Sequence, residues 1–106
     1  MIAAAPPHVP ARVQVVAREF SLALSRPMIN AGRATIELAN FGEDPHDLRL
    51  RRVGGTKIYG WRIAQPGVVE DRTLVLAPGR YRLWCSLANH RAFGMLATLV
   101  VRAPKP

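Results

Sequence analysis

The chain has 106 residues, 49% of them hydrophobic, which supports one domain with one core and is too short for two of ordinary size. Fifteen basic residues against seven acidic ones give a net charge of +8. No apolar run approaches the roughly 18 residues that a membrane-crossing helix needs, and one cysteine excludes an internal disulfide framework.

Thirteen of the fifteen basic residues are arginine, and most stand singly between apolar neighbours, as in RVQVVAR and GRYRLW. That is the pattern of outward positions on strands. The charge permits nucleic acid, anionic lipid or an acidic protein as partner, but aromatic and basic residues interleave too thinly for a nucleic-acid stacking platform. The opening MIAAAPPHVP lacks the basic start and apolar middle of a secretory signal. Residues 1–10 are read as a flexible lead, the remnant of a removed signal or a tether, with His8 a solvated tail residue. Residues 11–103 form the domain and 104–106 a tail.

From Arg12 onward, short segments of alternating character are broken by turn residues every eight to twelve positions, the signature of a β-sandwich or barrel of about seven or eight strands. VQVV is a first strand. Phe20, Leu22 and Leu24 alternate with polar or small residues in a second, and RPMINAG turns the chain. Ile36 and Leu38 face inward from ATIELAN; FGEDP breaks the chain before HDLRLRRV. In that segment His46, Leu48 and Leu50 share one face and Asp47, Arg49 and Arg51 the other. GGTKIYGWRIAQPGVVED has the weakest period and is expected to form irregular strands and a loop. TLVLAPG and RYRLWC follow, joined by a Pro78-Gly79 turn, with Tyr81, Leu83 and Cys85 on one face. MLATLVVR is the last strand.

Within WCSLANHRAFGM, Cys85 ends one strand, Met95 begins the next and His90 sits midway between them. If the strand starting at His46 lies nearby, a thiolate, two imidazoles and a thioether meet at one pole. Two His and one Cys with a weak axial Met are diagnostic of a blue copper electron-transfer site. Structural zinc sites use four Cys or His ligands and rarely accept methionine. Taken singly, each residue has an ordinary explanation: Cys85 as a small buried hydrophobe, Met95 as core filler, His90 as a loop residue, Met28 as a turn neighbour. The combination is what points to a metal.

The pattern N-x-G…PH in ANFGEDPH, the strand ending PGRYRLWC, the C-x4-H-x4-M loop and the closing GMLATLVV resemble a cupredoxin over about residues 12 to 103. The spacing is similar to auracyanin and rusticyanin, and the Pro-His pair to plastocyanin. The resemblance implies a Greek-key β-sandwich, one type 1 copper ion with His46, Cys85 and His90 as equatorial ligands and Met95 as the axial one, and an electron carrier rather than an enzyme. The alternative is a copper storage or delivery protein of the same fold. A dinuclear purple centre needs a second cysteine, which the chain lacks.

The family usually places asparagine or serine after the first histidine; here Asp47 stands instead, expected to accept backbone N–H bonds near Ser86. Trp84 alternates to the face opposite Cys85, a large ring beside the ligand able to shape the surroundings of the copper. In cupredoxins the loop histidine reaches the surface through an apolar patch, which Leu87, Ala88, Ala92 and Phe93 would form around His90, with Arg91 at the rim. The resemblance and the charge together imply a monomer that meets redox proteins bearing an acidic docking surface, in the periplasm or another extracytoplasmic space, free or tethered to a membrane.

Overall fold

A computed structural model describes residues 9–104. Each half-buried strand can turn its apolar set to one side only, so two sheets form and close face to face. Among the described residues nine strands, one or two more than the sequence suggests, run as β1 (Ala11–Arg18), β2 (Ser21–Leu24), β3 (Met28–Asn30), β4 (Gly32–Asn40), β5 (His46–Arg52), β6 (Ile58–Ala64), β7 (Val69–Leu76), β8 (Gly79–Trp84) and β9 (Leu96–Arg102). The described residues contain no helix.

One sheet has the order β2-β1-β4-β7 and the other β3-β9-β8-β5-β6. β1 pairs with β4 and β3 with β9 in parallel; the remaining pairs are antiparallel. The inward residues follow the alternation: Val13 and Val15 from β1, Ile36 and Leu38 from β4, Leu48 and Leu50 from β5, Leu83 from β8, and Leu99 and Val101 from β9 are all buried in one core. Each such aliphatic side chain contributes roughly 1.5–3 kcal/mol on burial. Trp61 on β6 donates its indole N–H to the carbonyl of Ile36 on β4 (3.0 Å), a hydrogen bond that joins the two sheets across the core.

Several expectations change. RPMINAG is not only a turn, because Met28, Ile29 and Asn30 pair with Val100, Val101 and Arg102 and place Ile29 in the core. The weakly periodic GGTKIYGWRIAQPGVVED carries, as expected, an irregular strand, β6. Its register against β5 shifts between His46 and Leu48, so Trp61 and Ala64 both face inward although three residues apart. Pro78 and Gly79 do not close a hairpin; they carry the chain from β7 in one sheet to β8 in the other. Phe20 precedes β2 and is partly exposed rather than part of its inward set. The lead expected at 1–10 and the tail at 104–106 lie outside the described residues at 1–8 and 105–106.

Candidate metal centre

At one end of the sandwich three segments meet. β5 begins with His46, whose parity with Leu48 and Leu50 turns its imidazole inward, and it is fully buried. The segment leading into it is shaped by buried Asn40. Its amide nitrogen donates to the carbonyls of Asp44 and Ala64 (both 2.8 Å), and its oxygen accepts from the Gly42 amide (2.9 Å). This gives the asparagine and glycine of ANFGEDPH a physical task. β8 delivers Leu83 and then Cys85 to the same side, both fully buried.

The Cys85-to-Met95 loop is closed at its base by the Cys85 amide donating to the Met95 carbonyl (3.3 Å), and above it by the Met95 amide donating to the His90 carbonyl (3.1 Å). His90 in turn donates its amide to the Leu87 carbonyl (3.0 Å). Gly94 has φ +127°, and a Cβ there would come within 2.8 Å of the Phe20 carbonyl oxygen. Only glycine lets the loop settle against the turn between β1 and β2.

The side chains converge accordingly. His46 Nδ1 lies 3.9 Å and His90 Nδ1 3.5 Å from Cys85 Sγ. One donor atom from each of His46, Cys85 and His90 falls within 4.8 Å of the others, a set able to hold one metal ion. The imidazole centroids are 5.0 Å apart. Met95 is fully buried beside them, its backbone bonded to both Cys85 and His90. Both rings turn Nδ1 toward the sulfur and Nε2 away. His46 Nε2 faces Glu19 Oε1 at 3.7 Å, and His90 Nε2 faces Asp44 Oδ2 at 3.8 Å.

Burial lowers the His46 pKa, with the Glu19 carboxylate opposing it, so a neutral imidazole with a free lone pair is favoured. Burial pushes the Cys85 thiol up, against the amides of Leu87 and Asp47. The amide of Asp44, assisted by that of Glu43, holds Glu19 below the usual carboxylate range.

Asp47 ties the segments that carry His46 and Cys85 together. Its Oδ1 accepts from the Ser86 amide (2.7 Å) and its Oδ2 from the Ser86 hydroxyl (2.5 Å), while Arg49 Nε donates to Oδ2 at 3.3 Å. The expected bond from Asp47 to the backbone near Ser86 is therefore present. Trp84 stands on the outer face, its ring under the Arg91 guanidinium at 5.0 Å. Leu87 packs against the core; Ala88 and Arg91 are exposed, as is Phe93.

Glu19, Phe20 and Asp44 belong to the site and carry no local sequence signal. The Phe20 ring lies 5.1 Å from the His90 ring and 5.0 Å from that of Phe93. They arrive through the turn between β1 and β2 and the segment before β5, contacts that only the folded sheet order creates.

No family model matches the sequence, and no curated relative matches it. Solved structures do. A reduced auracyanin from Roseiflexus castenholzii superposes with a TM-score of 0.70 at 19% identity, covering 92% of this chain and 100% of that one. Auracyanin B gives a TM-score of 0.69 at 20% identity, covering 95% and 94%. The chain has the cupredoxin fold. A reduced amicyanin mutant shares this cupredoxin architecture with a TM-score of 0.63 at 16% identity, covering 90% of this chain and 86% of that one. In this cupredoxin sandwich the histidine, cysteine and methionine cluster occupies one pole, where β5, β8 and β9 meet.

Proposed function

We propose that this chain is a type 1 copper protein that shuttles single electrons, with His46, Cys85 and His90 as equatorial ligands and Met95 as the axial one. The observation that carries this reading is the convergence of two imidazole Nδ1 atoms on one buried thiol, with Met95 buried alongside. Nitrogen and sulfur donors of this kind suit copper in both oxidation states. When bound, copper supplies a reversible Cu(I)/Cu(II) couple.

The chain's own residues do the rest. Two backbone bonds at the base of the loop and the Asp47 clamp on Ser86 keep the donors in place, so little rearrangement accompanies a change of charge. The Cys85 thiol must lose its proton on metal binding; since burial disfavours the thiolate, the charge of the ion has to stabilise it, and uptake releases a proton. Full burial of His46, Cys85 and Met95 leaves His90 as the proposed ligand nearest solvent, bordered by Phe20, which in turn packs on Phe93. Arginine predominates elsewhere on the surface, which suits redox partners with acidic surfaces. Among the described residues no helix is long and apolar enough to cross a membrane. We place the protein outside the cytoplasm, as a monomer, free or tethered.

The test is the visible and EPR spectrum after one equivalent of Cu(II). An intense thiolate-to-copper charge-transfer band with narrow copper hyperfine splitting is expected, and Cys85→Ala should abolish the band. A colourless adduct, or a variant that stays blue, would overturn the assignment.

A further inference from the structure

Among the described residues, His46 Nε2 is the buried side-chain polar atom left without a hydrogen-bond partner. Buried imidazole nitrogens are normally satisfied, and a metal-binding histidine generally donates its remote N–H to a carboxylate or carbonyl. The group facing this nitrogen is Glu19 Oε1 at 3.7 Å, about half an ångström beyond ordinary hydrogen-bond reach.

We infer that Glu19 is a positioning residue for His46, accepting its Nε2 proton so that Nδ1 presents a lone pair toward Cys85 and His90. This deepens the copper reading and rests on it only for its purpose. The opposite tautomer would aim the Nδ1 proton into the donor cluster and set the Nε2 lone pair against a carboxylate.

Glu19 is itself held. The same Oε1 accepts from the backbone amides of Glu43 and Asp44, residues of the segment that leads into His46. Carboxylate and imidazole are thus anchored to one piece of chain, although Glu19 comes from the turn between β1 and β2. The other oxygen occupies space that Gly42 leaves open: a Cβ on Gly42 would overlap Glu19 Oε2. Glycine at 42 therefore admits the carboxylate.

The experiment is long-range proton–nitrogen correlation NMR on the full, metal-free chain labelled with 15N-histidine. Wild-type protein should show His46 in the Nε2–H form. Glu19→Gln keeps an acceptor oxygen and should preserve that form; Glu19→Ala should reduce the ratio of Nε2–H to Nδ1–H by about tenfold or more, the scale of a hydrogen bond to a charged group. Gly42→Ala, which keeps the carboxylate but displaces it, should move the ratio the same way and serves if Glu19→Ala does not fold. His46 in the Nδ1–H form in wild type, or an unchanged ratio in the Ala variants, overturns the inference. A wild-type protein that turns blue with copper yet shows Nδ1–H sinks this assignment alone. A colourless copper adduct with Nε2–H sinks the proposed function and leaves Glu19 with its role.

Discussion

Asp47 is 1% exposed and accepts two hydrogen bonds from Ser86. Replacing it by alanine leaves the Ser86 amide and hydroxyl without their acceptors, and a loss of about 2–3 kcal/mol is expected in urea unfolding of the metal-free protein. Asp47→Asn keeps the amide bond through its carbonyl oxygen, while the Ser86 hydroxyl can accept instead of donate, so a loss of no more than about 1 kcal/mol is expected. The Asn variant also removes a negative charge next to the proposed copper ligands, which would favour the reduced ion. Voltammetry of the copper-loaded protein should show its potential above wild type; an unchanged potential would mean that the carboxylate's charge is not felt at the metal. Met95→Leu removes the proposed axial donor. It should retain copper and likewise raise the potential, and a fall would exclude Met95 from that position.

At the scale of elements, β8 brings Cys85 to the site, and its other end is pinned by Tyr81. The buried phenol donates to the Ala77 carbonyl at 2.7 Å, and Arg52 donates to the Pro78 carbonyl through Nε (3.0 Å) and its terminal nitrogen (2.8 Å). These bonds fix the link that crosses between sheets. Burial raises the Tyr81 pKa, so the folded chain keeps this proton where the unfolded chain, titrating near pH 10, begins to lose it. Its contribution to stability is complete below about pH 10 and declines above it. Tyr81→Phe should cost about 1 kcal/mol at neutral pH and flatten that alkaline decline, both readable from urea titrations at several pH values. The same strands show what the sequence makes legible. Alternation exposes β1, β4, β5, β8 and β9 because each buries one face, and it gives His46 its direction by parity with Leu48 and Leu50. β6 hides because the register shift beside His46 spaces Trp61 and Ala64 by three. β3 is only three residues long and is held by parallel pairing with β9, far away in sequence. Cys85, His90 and Met95 share one loop and are readable together; Glu19 reaches His46 only through the packing of the turn between β1 and β2.

Across the whole molecule, charge is divided between the two sheets. The strands of the five-stranded sheet carry Arg49, Arg51, Arg52, Arg62, Arg80, Arg82 and Arg102 against one carboxylate, the buried Asp47. The four-stranded sheet balances Arg12, Arg18, Arg33 and Arg72 with Glu37, Glu70 and Asp71. The three remaining acids, Glu19, Glu43 and Asp44, lie in the segments around the candidate metal centre. An anionic partner would therefore be drawn to the outer face of the five-stranded sheet, while at the pole Glu19, Glu43 and Asp44 outnumber the exposed Arg91. Arg51 and Arg82 are exposed register partners near the middle of that face. Changing both to glutamate lowers the net charge from +8 to +4, two units at each position. Oxidation of the reduced copper protein by hexacyanoferrate(III), followed by stopped flow, should slow with rising ionic strength in wild type. The double variant should react more slowly at low salt and depend less on salt, with the two proteins converging at high salt. A trivalent cationic cobalt complex, attracted to the acidic pole and repelled by the face, should react faster with the variant than with wild type. If both oxidants respond to salt alike in the two proteins, neither the basic face nor its separation from the pole guides encounter, and the charge asymmetry has no part in choosing redox partners.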